Sequence, residues 1–286
     1  MTGLDGLPPL REVIARHDLR ARRSLGQNFL LDENLLDRIA RAVGLRAGQH
    51  VIEIGPGPGG LTRALLRAGA AHVTAIEKDR RAVAALTELA AEAPDRLQVV
   101  EDDALTIDLA AYARAPVHVA GNLPFNIATP LLFHLLDQAA MIATMTLMFQ
   151  REVAQRLVAK PHSKDYGRLA IAVQWRCDVK RCFDIPARAF VPVPKVSAAV
   201  VHLTVRERPL HPADADLLMQ VTQAAFGQRR KALRNALQVL PVDAGALLAA
   251  ADLDPGLRAE AVDVAGFCAL ARAYAELKDE ADRATV

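Results

Sequence analysis

Short apolar runs alternate with segments of helical spacing up to residue 159 of the chain. The apolar runs predict strands at HVIEIG (50–55), HVTAIE (72–77), LQVVEDD (97–103), VHVAGN (117–122) and TMTLMF (144–149). Between and after them, apolar positions three and four residues apart predict helices over 61–68, 80–91, 130–136 and 151–159. Strands that alternate with helices are typical of a parallel sheet covered on both faces. The pattern therefore predicts an α/β domain with a doubly wound sheet.

The pattern changes in the second half of the chain. LAIAVQW (169–175) and SAAVVHLTV (197–205) predict two further strands with no clear helix between them, so we expect one of the two to run antiparallel. RERPLHP (206–212) is a linker punctuated by prolines, and after it the spacing predicts only helices, over 213–226, 228–240, 244–251 and 259–277. We therefore predict a sheet domain over 1–206 and a small all-helical domain over 207–286.

The composition fits a globular chain of this organisation. Of its 286 residues 52% are hydrophobic, which is enough for a core in each domain. No apolar run approaches the roughly 18 residues of a membrane span, and the acids among the first arginines do not fit a secretory signal. We expect a cytoplasmic protein with no membrane partner. The three cysteines lack C-x-x-C spacing and the eight histidines form no H-x-x-x-H pair, so neither a disulfide nor a metal is expected.

The net charge of +2 conceals an uneven distribution of basic residues. Between residues 150 and 196 there are ten Lys or Arg against four acids, and between 217 and 242 there is no acid at all. The second stretch contains a compact basic cluster formed by Arg229, Arg230, Lys231 and Arg234. Such patches indicate a polyanionic partner, with a solvated helix face as the alternative interpretation.

The turn after the first predicted sheet strand, EIGPGPGG, has the chemistry of a nucleotide-binding loop. Gly55, Gly57 and Gly60 match G-x-G-x-x-G, and Glu77 follows at the distance where a carboxylate binds a ribose hydroxyl. This pattern alone does not separate a dinucleotide from S-adenosylmethionine. Two carboxylates favour the methyl donor, namely Glu53 inside the strand and Asp103 after the third strand, where it can accept from an adenine amino group. An ordinary loop residue or helix cap is the alternative for Asp103.

The fourth strand ends in GNLPF (121–125), an order of residues that a buried strand does not need. The amino group of adenine is a poor nucleophile because its lone pair is delocalised into the ring. Two acceptors, the Asn122 side-chain oxygen and the Leu123 carbonyl, would favour a nitrogen with an available lone pair, and Pro124 would fix that carbonyl. Phe125 can stack on the base. The motif predicts adenine methylation without a general base, and an Asn-Pro turn that closes a strand is the alternative.

A series of motifs from residue 25 to about residue 240 carries a family resemblance. They are LGQNFL (25–30), VIEIGPGPGGLT (51–62), IEKD (76–79), DDAL (102–105), GNLPF (121–125), FQREVAQRL (149–157), DYGRL (165–169), FVPVPKVSAAVV (190–201) and FGQRRKALRN (226–235). Together they resemble the ribosomal RNA adenine dimethyltransferase family. The set is far more specific than any one of its motifs.

The resemblance implies a Rossmann-like class I S-adenosylmethionine-dependent methyltransferase sheet and a helical domain that binds rRNA. It implies dimethylation of N6 of two adjacent adenosines in a hairpin loop near the 3′ end of 16S rRNA, within the small ribosomal subunit or its precursor. We expect S-adenosylmethionine as the donor, no metal, and a monomer. The family's donor-binding positions match Asn28, Leu30, Gly55, Glu77, Asp103 and Asn122, and the glycine turn adds Gly57.

Two further assignments are inferred from position. Phe190 lies in a proline-rich extended stretch and is a candidate to sandwich the target base opposite Phe125, with a core phenylalanine as the alternative. The basic cluster is predicted to open a helix whose Leu233 and Leu237 face the core, so that its cations contact RNA phosphates.

Three other functions stay open on the sequence. A nicotinamide-dependent oxidoreductase would share the glycine turn and Glu77, but it would leave GNLPF, Asp103 and the basic cluster unexplained. A nucleic-acid-binding relative without activity would not need Glu77, Asp103 and Asn122. A large-subunit rRNA methyltransferase of the kind that confers antibiotic resistance is the nearest alternative among enzymes, and the long helical C-terminal region disfavours it.

Overall fold

The computed structural model describes residues 6–21, 26–46, 48–114 and 116–284. Its strands are β1 (Phe29–Leu30), β2 (His50–Ile54), β3 (His72–Glu77), β4 (Leu97–Glu101), β5 (Val117–Gly121), β6 (Ile142–Gln150), β7 (Cys177–Ile185), β8 (Phe190–Val191) and β9 (Ala198–Val205). Its α-helices are α1 (Leu10–Arg16), α2 (Glu33–Val43), α3 (Gly60–Arg67), α4 (Arg80–Ala91), α5 (Ala128–Asp137), α6 (Arg151–Leu157), α7 (Arg168–Arg176), α8 (Ala215–Gly227), α9 (Leu233–Ala236), α10 (Ala244–Ala250) and α11 (Val264–Ala284).

The main sheet has the strand order β4-β3-β2-β5-β6-β9-β7. The strands β4, β3, β2, β5 and β6 are parallel to their neighbours, whereas β9 pairs antiparallel with β6. The chain order reverses beside β2, because β3 and β4 lie on one side of it while β5 and β6 lie on the other. The loops that leave β2 and β5 therefore diverge and open the crevice in which doubly wound folds bind ligands. The predicted α/β architecture and the antiparallel strand are confirmed.

Local sequence explains why the helices around this crevice begin and end where they do. The side chain of Asp32 caps α2 by accepting a hydrogen bond from the Leu35 N–H at 3.2 Å, and α2 ends at Gly44, whose φ of 74° is left-handed. Its buried residues recur at helical spacing, at Leu36, Ile39, Ala40 and Val43. Burial of each leucine or isoleucine contributes about 1.5–3 kcal/mol to folding. The apolar face of α2 thereby fixes one side of the crevice.

One strand prediction is wrong. Residues 169–175, predicted as a strand, lie within α7, and the strand of this region is β7. A short apolar run does not distinguish a buried strand from a helix that is buried nearly all round, and α7 is the second case, with Ala170, Ile171 and Trp175 in a hydrophobic core. β7 ends the strand order, and its polar sequence CDVKRCFDI lacks the apolar run that marks an inner strand.

The chain divides into two compact units. The first consists of Met1–Ala154 and Lys180–Val205, and the second of Gln155–Val179 and Arg206–Val286. The second unit differs from the predicted helical domain over 207–286 because it includes residues 155–179, whose α7 contacts α8 and α11. Each unit has its own core, formed around the sheet in the first and around Tyr166, Leu218 and Phe267 in the second. No helix in the described part of the chain is long and apolar enough to cross a membrane.

Candidate active site

A cavity of about 300 Å³ opens at the carboxyl ends of β2, β3 and β5 in the first unit. Segments 26–30, 53–58, 76–79, 102–105 and 122–127 line it. All the predicted donor-binding residues line it: Asn28, Leu30, Gly55, Gly57, Glu77, Asp103 and Asn122. Three further residues that were predicted to be catalytic also line it: Leu123, Pro124 and Phe125. Leu25, the first residue of the LGQNFL motif, lies outside the described residues. The volume is at the lower end of the range for small-molecule sites.

The glycine turn brings backbone rather than side chains to the cavity. Gly55 and Gly57 have φ values of 65° and 54°, which side-chain-bearing residues rarely adopt. A Cβ atom on Gly57 would lie 3.1 Å from a ring carbon of Phe29. The turn therefore requires glycine both for its backbone conformation and for its packing against the segment 26–30. Sequence analysis did not single out Phe29, and only its place between Asn28 and Leu30 could have indicated it.

Glu77 ends β3 and is held by backbone donors. Its Oε2 accepts from the Gly57 N–H at 3.0 Å, and its Oε1 accepts from the N–H groups of Lys78 and Asp79, each at 2.8 Å. Burial raises the pKa of Glu77, and these hydrogen bonds oppose that rise. A carboxylate offers about four acceptor positions, so three donors leave capacity for a ligand hydroxyl. The residue is thus fixed in orientation and still able to accept.

Asp103 follows β4, where its carboxylate is charged and already engaged. The ammonium Nζ of Lys78 lies 2.5 Å from its Oδ2, and its Oδ1 accepts from the Leu105 N–H at 3.1 Å. The hydrogen bond from Lys78 lowers the pKa of Asp103. A ligand amino group at Asp103 would share the carboxylate with Lys78 or displace it. Lys78 is therefore part of the site, although sequence analysis passed over it within the IEKD motif.

Asn122 follows β5 with the polarity that adenine chemistry needs. Its amide Nδ2 donates to the Asn28 carbonyl at 3.1 Å, which assigns the amide so that Oδ1 remains as an acceptor. Among the described residues, none donates a hydrogen bond to the Leu123 carbonyl. The Pro124 carbonyl accepts from the Ile127 N–H at 3.1 Å and closes the turn that leads into α5. Two unpaired acceptors therefore stand next to each other at one side of the cavity.

The two predicted stacking residues differ in their placement. Phe125 is half-buried and lines the cavity. Phe190 is only 1% exposed, belongs to the hydrophobic core of the first unit and does not line the cavity. In the pairing of β8 with β1 it lies opposite Leu30, which lines the cavity. The structure does not bring Phe190 to a position opposite Phe125, and it matches the core alternative instead.

Glu53 carries a buried carboxyl oxygen without a partner. The residue lines the cavity and is 1% exposed, and its Oε2 makes no hydrogen bond within the described structure. Burial raises the pKa of Glu53 to about 8, the nearby Thr62 hydroxyl opposes that rise, and the charge of Glu77 adds to it. A buried polar atom without a partner is costly, and a cationic donor from a ligand would satisfy it. S-adenosylmethionine fits this wall, since its ammonium, ribose hydroxyls and adenine amino group match Glu53, Glu77 and Asp103 in chemistry.

The basic cluster of the second unit is not at the start of a helix. Residues 228–232 form a turn, and α9 begins only at Leu233, although Leu233 and Leu237 are buried as predicted. Arg229 donates from Nε to Glu260 at 3.0 Å and from a terminal nitrogen to the Ser163 carbonyl at 3.2 Å. The other three cations of the cluster are exposed: Arg230, Lys231 and Arg234. Gly227 ends α8, and the backbone pairing of Ala232 with Arg258 keeps the turn out of helical geometry.

Comparison with known proteins agrees with this architecture. The family "Ribosomal RNA adenine dimethylase" matches residues 18–276. Proteins named "Ribosomal RNA small subunit methyltransferase A" are 55% identical in Dinoroseobacter shibae, over 96% of this chain and 99% of the relative, and 58% identical in Rhodospirillum rubrum, over 94% and 93%. A dimethyladenosine transferase from Plasmodium falciparum has the same fold, with a TM-score of 0.76 and 24% identity over 86% of this chain and 97% of that one. The 23S rRNA methyltransferase ErmE has a TM-score of 0.67 and 27% identity, over 88% of this chain and 100% of that chain. This chain belongs to the ribosomal RNA adenine dimethylase family.

Proposed function

We propose that this protein transfers methyl groups from S-adenosylmethionine to N6 of two adjacent adenosines in the 3′-terminal hairpin loop of 16S rRNA, and that it acts in small-subunit biogenesis. The observation that carries the proposal is the pair of unpaired acceptors, Asn122 Oδ1 and the Leu123 carbonyl, beside a cavity that contains every predicted donor-binding residue. Relatives with 55% and 58% identity are small-subunit enzymes, whereas ErmE is 27% identical, which favours the small subunit over the large one.

The donor side of the cavity would bind by charge and hydrogen bonds. Glu53 would accept from the donor's ammonium group, Glu77 from its ribose hydroxyls and Asp103 from its adenine amino group. When bound, S-adenosylmethionine supplies a methyl group that is electrophilic because it is attached to a sulfonium. The backbone of Gly55 and Gly57 allows the close approach that side chains would block.

The acceptor side would prepare the nucleophile. Two hydrogen bonds from the adenosine amino group, to Asn122 Oδ1 and to the Leu123 carbonyl, would favour a tetrahedral nitrogen whose lone pair is available. Phe125 would stack on the base, with a contribution of about 1–3 kcal/mol. The amino proton can leave after transfer, so the step requires no side chain as general base. The target bases lie in a hairpin loop, where splaying them out requires little unpairing.

The second unit would bind RNA through charge. Arg230, Lys231 and Arg234 are exposed and suit phosphate contacts, while the paired Arg229 would hold the turn that presents them. The substrate would be the small ribosomal subunit or its precursor, bound by a monomer in the cytoplasm. We assign donor binding to the predicted domain over 1–206 and rRNA binding to the predicted domain over 207–286.

The test uses small ribosomal subunits from cells that lack this modification. The protein and S-adenosylmethionine are added, and the methylated nucleosides are identified by mass spectrometry and mapped, with Asn122→Ala protein as the matched control. Two adjacent N6,N6-dimethyladenosines near the 3′ end, absent in the control, are the expected result. A parallel reaction contains large-subunit RNA in place of the small subunit. Methylation only in that reaction would overturn the proposed substrate, and no methylation in either reaction would overturn the proposed activity.

A further inference from the structure

The first unit exposes three valine side chains within one short segment. Val191, Val193 and Val196 are 49%, 66% and 44% exposed, and they account for three of the five large hydrophobic side chains that are exposed among the described residues. All three lie within VPVPKV, residues 191–196, here called the valine ridge. Scattered exposed valines are ordinary, whereas several within six residues mark a surface that contacts a partner.

The valine ridge continues directly from the wall of the cavity. Its first residue, Val191, pairs with Phe29 between β8 and β1, and the neighbouring pair joins Phe190 to Leu30. Phe29 and Leu30 both line the cavity. The valine ridge therefore begins at the strand that pairs with two residues of the cavity wall.

The chemistry of the ridge fits single-stranded RNA better than a protein strand. Pro192 and Pro194 have no N–H group to donate, so this edge is poorly suited to pair with a β-strand, and their fixed φ keeps the segment stiff. Cations flank it. Lys195 is exposed within the ridge, and Arg188 is exposed just before it in the chain. The backbone N–H of Arg151 donates to the Ser197 carbonyl at 2.9 Å, so the exposed Arg151 lies at the other end of the ridge. Apolar side chains between cations match base faces between phosphates.

We infer that the valine ridge packs against the bases that flank the target adenosine, where it fills the gap left in the stack when the target enters the cavity. The inference rests on the proposed function and adds a specificity-determining surface to it. A base that leaves a stacked loop exposes the faces of its neighbours, and Val193, the most exposed residue of the ridge, would cover them. The ridge would thus hold the open conformation of the loop and take no part in donor binding.

The first experiment measures methylation of unmodified small subunits by Val193→Ser, with Val193→Leu and Val239→Ser as controls. Val239 is 69% exposed and lies in the second unit, so its replacement makes a matched change at an exposed valine outside the ridge sequence. We expect kcat/KM for the subunit to fall about tenfold in Val193→Ser, the order of effect expected when the burial of one valine side chain is lost, and to recover in Val193→Leu. Donor affinity, measured by calorimetry, should stay at the wild-type value. Equal kcat/KM in Val193→Ser and wild type would overturn the inference.

The second experiment identifies the partner of the ridge. A photoreactive p-benzoylphenylalanine replaces Val193, and Val239 in the control, and the crosslinked site on the small subunit is mapped. A crosslink to nucleotides next to the target adenosines supports the inference, and a crosslink to a ribosomal protein or to distant RNA overturns it. Failure of the proposed function would be distinct, because wild-type protein would then not methylate the subunit at all.

Discussion

The cavity of the first unit and the turn over residues 228–232 of the second unit, here called the basic turn, present polar groups to solvent and ligands in different ways. In the cavity the polar groups are buried or fixed by backbone donors, and a few acceptor atoms remain unpaired, such as Glu53 Oε2 and the Leu123 carbonyl. In the basic turn, Arg230 and Lys231 are exposed cations on flexible stems. Buried acceptors distinguish individual atoms, whereas solvated cations distinguish only charge. Substitutions should therefore have large, specific effects in the cavity and small, salt-dependent effects at the turn.

The largest effect should follow removal of an acceptor that we propose to act on the reacting nitrogen. Asn122→Ala removes one of two acceptors, so we expect methyl transfer to fall by about 10²–10³, the range seen when one positioned hydrogen-bonding group is lost from a transition state. RNA affinity, measured by filter binding, should stay near the wild-type value. Asn34→Ala, at an exposed asparagine of α2 that does not line the cavity, is the control. An equal loss of rate and RNA affinity would make Asn122 part of the RNA surface instead.

The second prediction concerns the pH dependence of stability. The pKa of Glu53 is about 8 in the folded protein against an ordinary 4.5, so between these values the folded state binds a proton that the unfolded state has lost. The contribution of Glu53 to the free energy of unfolding is fully present below pH 4.5. It decreases as the pH rises to about 8, by about 1.4 kcal/mol per pH unit at most. Glu53→Gln should remove that slope in urea titrations between pH 5 and pH 8. An unchanged slope would mean that Glu53 is already ionised when folded.

The third prediction separates backbone strain from packing in the glycine turn. Gly57→Ala combines a left-handed φ with a contact against Phe29, whereas Gly44→Ala has the same kind of φ and open space around the new methyl group. We expect Gly44→Ala to lower the free energy of unfolding by about 1–2 kcal/mol and Gly57→Ala to lower it further. Only Gly57→Ala should weaken donor binding in calorimetry. Equal stability losses would show that the Phe29 ring moves freely.

The fourth prediction tests the basic turn as a purely electrostatic surface. Replacing Arg230 and Lys231 together by alanine should reduce the log–log salt dependence of RNA binding by about 0.7 for each lost contact with single-strand phosphate, hence about 1.4 for the pair. Methyl transfer at saturating RNA should not change. A salt dependence equal to that of the wild type would leave these residues as a solvated face.

The smallest effect is expected from Arg229→Ala. It tests whether the paired Arg229 differs in role from the exposed cations of the basic cluster. Its partners are Glu260 and the Ser163 carbonyl, so Arg229→Ala should lower the free energy of unfolding by about 1 kcal/mol or less, the range for partly exposed ion pairs. The salt dependence of RNA binding should change less than in the double variant. If the log–log slope fell by about 0.7 and the free energy of unfolding did not change, Arg229 would be assigned to phosphate binding.

The sequence predicted the placement of residues best where that placement depends on the local backbone. Gly55, Gly57 and Asn122 occupy strand ends and turns whose geometry follows from the residues themselves, and all three line the cavity. Placement in the fold decided the other cases. α7 was mistaken for a strand because its apolar run is buried nearly all round, and Phe190 is a core residue because of its pairing partner.

Ion pairs were beyond the reach of sequence patterns. The partners Lys78 and Asp103 are 25 residues apart, and Arg229 and Glu260 are 31 apart, so neither pair follows a helical or strand period. Only the fold brings them together. The predicted cluster of four equivalent cations consequently separated into one structural arginine and three exposed residues.

The hydrogen bond from the Asn122 amide to the Asn28 carbonyl decides which end of the amide stays free. An amide group that rotates by half a turn exchanges its oxygen for an NH₂ group, which would repel an incoming amino group. The Asn28 carbonyl belongs to a segment that lines the cavity, so the chain that forms the cavity wall also orients the amide. One main-chain oxygen thereby selects an acceptor, rather than a donor, as the free end of the Asn122 side chain.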